Sequence, residues 1–198
     1  MIDRTHIGYE AEPLTVEVEK GRLRFAKATG QTDPIYLDEA AAKAAGYPAL
    51  PAPPTFMVSL ELESPEPFKL FEVLGVDLNR ILHGEQAFQY LKPICAGDTI
   101  TLRPKVVDIY DKKGGAMEFI VITTTATNQH DETVGSAHQN DCGEELTMVA
   151  ITYESIQVGD ELPALTTDPI NRTQALFAGA SGDHNPIHLD IDLRTRRE

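Results

Sequence analysis

One fourteen-residue pattern occurs twice in this chain, as FAKATGQTDPIYLD at residues 25–38 and as FAGASGDHNPIHLD at residues 177–190. Eight of the fourteen positions are identical, in register and without a gap, and Thr29 against Ser181 is a conservative ninth. Agreement this dense reads as an internal duplication, and the offset of 152 residues between Phe25 and Phe177 sets the size of the repeated unit. A first domain is therefore expected over residues 1–150. Residues 151–198 are expected to hold only the beginning of a second, since a complete copy would run on to about residue 300.

Composition narrows the partners. A formal charge of -14 and a pI near 4.8 repel phosphate, so neither nucleic acid nor an anionic membrane is an expected partner. The chain opens MIDRTHIGYEAE, with no basic start leading into an apolar run, and it contains no stretch of 18 apolar residues. A cytoplasmic location is the expectation. Cys95 and Cys142 lack a neighbour at metal-ligand spacing and read as reduced thiols, so neither a metal nor a cofactor is expected.

Along the first unit, the alanine-rich stretch 38–45 starts with carboxylates, carries Lys43 near its end and stops at Gly46, which predicts a short helix. A Pro-rich link at 48–54 leads into a mostly apolar helix expected over 54–62, and 68–74 suggests a further turn or two. From Glu85 the pattern becomes β-like. Strands are expected at 87–91, 99–110, 117–128, 133–138 and 145–152, with turns at Gly97-Asp98, Lys113-Gly114-Gly115 and His130-Asp131. This is an α+β layout with an antiparallel sheet and its helices early in the chain.

The differences between the two copies point to chemistry. Asp183, Asn185 and His188 in the second copy stand where the first has Gln31, Asp33 and Tyr36. A carboxylate and an imidazole five residues apart, bracketed by Gly182 and Pro186, can converge on one water or substrate proton, and imidazole titrates near neutral pH. Spacing alone fits equally a polar turn in which Asp183 caps a helix and His188 is a solvated surface residue.

The run Ser181-Gly182-Asp183-His184-Asn185-Pro186-Ile187-His188 resembles the signature of MaoC-like, (R)-specific enoyl-thioester hydratases and dehydratases. The lead-in from Val158-Gly159-Asp160 to Thr173 resembles that family as well. The first unit resembles the degenerate N-terminal unit of its two-domain members, through Gly46-Tyr47-Pro48, Ala52-Pro53-Pro54-Thr55-Phe56, His83-Gly84-Glu85-Gln86 and Pro93 to Asp98. The resemblance implies a hot-dog fold, an antiparallel sheet wrapped around a long central helix, with two units side by side as a homodimer or hetero-oligomer. It implies a hydro-lyase of fatty-acyl metabolism acting on an acyl-CoA or acyl-ACP thioester: water adds reversibly to a trans-2-enoyl thioester to give the (R)-3-hydroxyacyl product. Asp183 and His188 would be catalytic, with Asn185, Gly182 and Ser181 in support.

The family pattern also places a His-Gly pair at the start of the second unit's central helix, where backbone N–H groups stabilise the enolate, and no such pair follows Asp190. The matching helix start in the first unit carries Pro53-Pro54, which have no N–H to offer. Weak activity of the chain by itself is therefore expected. Two alternatives stand beside the hydratase: a non-catalytic acyl-binding or scaffolding subunit, and an acyl-CoA thioesterase using Glu61 or Glu63 as a helix base. His83 reads as a structural histidine before a strand or as lining of an acyl pocket. Arg194, Arg196 and Arg197 read as a charged tail or as contacts for coenzyme A phosphates.

Overall fold

The computed structural model describes residues 2–112 and 117–144. The expected turn at 113–115, the strand at 145–152 and the domain boundary at 150 lie outside them. Five strands, β1 (Leu14–Glu17), β2 (Ile81–Tyr90), β3 (Thr99–Lys112), β4 (Met117–Thr127) and β5 (Thr133–Glu144), form one antiparallel sheet in the order β1-β3-β4-β5-β2. The connections bend where expected: Gly97 has φ 90° and Asp131 has φ 59°, both in the left-handed region that tight turns need.

The sheet is longer than the apolar pattern implies. β2 starts at Ile81 and β5 continues to Glu144, through the polar stretches ILHGEQ and QNDCGE. These residues are strand because they pair with one another, from Ile81 opposite Gly143 to Gln86 opposite Gln139. A ladder of backbone hydrogen bonds overrides weak intrinsic β-preference. β1, which the pattern does not predict, is an edge strand held by four residues of β3.

Four short helices precede β2. α1 (Phe25–Ala28) opens the first copy of the repeat, α2 (Glu39–Ala44) follows directly after it, and α3 (Met57–Glu61) and α4 (Lys69–Val73) come next. α2 ends as its sequence predicts. Asp38 accepts hydrogen bonds from the N–H groups of Ala40 (2.7 Å) and Ala41 (3.4 Å), Lys43 pairs with Glu39 at 3.1 Å, and Gly46 leaves with φ 95°. α3 is the central helix, but only five residues long, shorter than the expected span of 54–62. The prolines at its front are spent in a turn, and Pro65 and Pro67 keep the chain from continuing as helix. Among the described residues no helix is long and apolar enough to cross a membrane.

α3 packs on one face of the sheet, here called the inner face. Phe56 and Met57 are 1% exposed or less and join Ile100, Leu102, Ala126, Val134 and Ala137 in the main core. Burying each of the larger side chains contributes roughly 1.5–3 kcal/mol. The approach is close enough that a β-carbon on Gly135 would lie 3.2 Å from Met57 Cε and 2.4 Å from the Gln89 carbonyl oxygen. A second cluster of Leu74, Val106, Ile109, Ile120 and Ile122 packs with Leu70 and Phe71 of α4. Sheet, central helix and core together make one α+β unit of hot-dog layout.

Candidate functional site

The first copy of the repeat shows what its residues do for the fold. Phe25 packs edge-on against Phe56, with ring centroids 5.5 Å apart, and so ties the segment to the central helix. After α1 the chain reverses at Gly30, with φ 75°. Gln31 Oε1 then accepts from the N–H groups of Thr32 (2.9 Å) and Asp33 (3.1 Å), and Asp33 Oδ1 accepts from Ile35 N–H at 3.1 Å. Positions 31 and 33 thus hold a polar turn. Tyr36 is half-buried; burial pushes its hydroxyl above the usual tyrosine range, helped by Tyr47 and Asp33. Nothing in this copy is an acid/base pair suited to neutral pH.

Asp183 and His188, and the supporting Asn185, Gly182 and Ser181, lie outside the described residues, as do Arg194, Arg196 and Arg197. The correspondence Gln31/Asp183, Asp33/Asn185 and Tyr36/His188 is one of sequence.

The described residues gather a polar cluster elsewhere, on the inner face. Glu61 ends α3 beside Thr124 of β4, which is 2% exposed. His83 on β2 faces Asp141 on β5, with Nδ1 to Oδ1 at 3.2 Å. Gln139 Nε2 donates to Asp141 Oδ2, His83 Nε2 lies 3.3 Å from Gln86 Oε1, and Gln86 Nε2 donates to the His138 carbonyl at 3.3 Å. Burial raises both carboxyl groups above the usual range. Thr124 opposes the rise at Glu61, and His83 and Gln139 oppose it at Asp141.

Glu61 and His83, singled out separately in the sequence, lie near enough for their charges to interact, whereas Glu63 pairs with Arg22, just ahead of the repeat segment. Asp141 carried no signal in the sequence, because it stands in a polar run whose pairing only the sheet reveals. Cys95 and Cys142 are buried thiols. Among the described residues no group of three or more His, Cys, Asp or Glu is arranged to hold a metal ion.

Residues 5–137 match the family model described as FAS1-like, dehydratase domain region. A UPF0336 protein of Saccharopolyspora erythraea is 36% identical over 138 residues, which cover 69% of this chain and 87% of that protein. Another from Thermobifida fusca is 38% identical over 118 residues, 59% of this chain and 78% of its own length. Among solved structures, a MaoC-like dehydratase superposes with a TM-score of 0.74 at 24% identity, covering 96% of this chain and 70% of that one. A C-terminally truncated HadBC (3R-hydroxyacyl-ACP dehydratase) complex from Mycobacterium tuberculosis gives a TM-score of 0.59 at 28% identity, covering 69% of this chain and 96% of that one.

Proposed function

The chain belongs to the FAS1-like dehydratase-region family, and from that premise we propose that it is a hydro-lyase acting on acyl thioesters, interconverting a trans-2-enoyl thioester and its (R)-3-hydroxyacyl counterpart. The observation that carries this reading is the contrast between the two copies of the repeat. Copy one uses Gln31 and Asp33 to brace a turn. Copy two replaces that set with Asp183, Asn185 and His188, an acid/base pair and an amide able to orient it. With carboxylate and imidazole on one side of the turn, the two would hold a water molecule between them. One takes a proton from water as its oxygen adds to the β-carbon, and the other delivers a proton to the α-carbon.

In this reading residues 1–150 are a supporting hot-dog unit and 151–198 begin the catalytic one. The edge strand β2 is where a further hot-dog unit would join, since its outward backbone groups have no strand beside them among the described residues. The HadBC complex, a dehydratase of paired subunits by its description, supports such an arrangement. A purely scaffolding role is the second reading, favoured by the absence of an acid/base pair from copy one. Loss of enoyl absorbance from crotonyl-CoA tests between them. With the rest of the second unit supplied, as a longer chain or a separate subunit, hydration that falls about 10²-fold or more in Asp183→Asn and in His188→Ala supports the hydro-lyase; hydration unaffected by both removes it.

A further inference from the structure

The inner-face cluster is built by a device that the repeat does not explain. β2 is bulged between His83 and Glu85, and Gly84 fills the bulge where a β-carbon would stand 2.8 Å from the Asn140 carbonyl oxygen. In a regular strand, residues three apart point to opposite faces; the bulge turns both His83 and Gln86 inward. They meet Asp141 and Gln139, which are two apart on β5 and so share that face. Asp141 is 1% exposed, and its Oδ1 has no hydrogen-bond donor in bonding geometry, only His83 Nδ1 at 3.2 Å. His83 itself is 58% exposed. A sealed carboxylate with an uncommitted oxygen thus holds an imidazole that solvent can reach, and the charges of both act on Glu61.

We propose that Glu61, His83 and Asp141 form a hydrolytic site in the first unit, with acyl thioesters as its substrates. The substrate class rests on the function proposed above; the site itself rests on the cluster. His83 takes a proton from water while the water oxygen bonds to the thioester carbonyl carbon. Glu61, as the neutral acid, donates a hydrogen bond to the carbonyl oxygen as negative charge develops there. The carbon–sulfur bond then breaks, the thiolate takes the proton from the His83 imidazolium, and a carboxylic acid and a thiol leave. Burial pushes the Glu61 carboxyl upward, the direction that favours this donor role. Asp141 stabilises the imidazolium as it forms and fixes the ring, which makes it a positioning residue.

The test measures thiol release from acetyl-CoA and decanoyl-CoA by the full 198-residue chain. The expected result is turnover that falls about 10²-fold or more in His83→Gln and in Glu61→Gln. It should persist in the Asp183→Asn/His188→Ala double variant. His83→Ala should regain activity with added imidazole, which a folding defect would not allow. Asp141→Asn should lower kcat and move the acid limb of the pH–rate profile while leaving KM unchanged. Absence of thiol release from the folded chain, or release indifferent to His83 and Glu61, overturns the proposal. Hydration is read separately as enoyl absorbance, so its loss with thiol release intact would sink the hydro-lyase and leave this site standing.

Discussion

His83 and Asp141 face each other across the β2–β5 ladder with Nδ1 and Oδ1 3.2 Å apart, one side chain open to solvent and the other sealed from it. The sealed carboxylate gives the fold a pH dependence. Asp141 and Glu61 are both raised by burial, so the folded state holds their protons more tightly than the unfolded chain does. Their contribution to stability is therefore fully present below the ordinary carboxylate range and declines as pH rises through the raised values. Glu61→Gln cannot ionise. It should melt above the parent at pH 7, with the difference closing below about pH 4.5, the unperturbed value for Glu61. Melting curves at several pH values check this, and a gap that does not change with pH would contradict it.

Glycine substitutions should separate the three backbone environments. Gly84→Ala forces a β-carbon to within 2.8 Å of Asn140 O, and Gly135→Ala to within 2.4 Å of Gln89 O. Each should cost about 1–3 kcal/mol or more by overpacking, with Gly135 the worse. Gly21, at φ -61° with open space around it, should tolerate alanine and gain roughly 0.4–1 kcal/mol through the unfolded state. Urea unfolding gives the order directly.

Phe56 is 1% exposed and packs at 67° against Phe25. Phe56→Ala should lose about 3–5 kcal/mol, enough to leave a marginal domain largely unfolded at 37 °C. A loss below 1 kcal/mol by urea denaturation would mean that the repeat segment is not anchored through this pair.

Asp38 caps α2 through two backbone N–H groups, one of them at 2.7 Å. Asp38→Ala should cost about 0.5–2 kcal/mol without altering turnover. Tyr36→Phe, in the copy without the acid/base pair, should leave hydration of crotonyl-CoA intact. A large drop in hydration with Tyr36→Phe would put chemistry in the first copy and reverse the reading of the repeat.

Helix α2, its cap at Asp38 and the turns at Gly97 and Asp131 could be read from the chain alone, because each depends on neighbours within a few residues. The duplication and the Asp183/His188 contrast are likewise properties of the sequence by itself. The length of α3 was partly legible in the prolines around it. The full extent of β2 and β5 was not, since polar residues become strand there only by pairing with each other. Nor was the cluster of Glu61, His83 and Asp141, which are separated by 22 and 58 positions and come from three elements. The bulge at Gly84 turns one of them inward, and burial changes how two of them hold their protons. Both effects depend on what lies across the sheet, and that is decided only when the chain has folded.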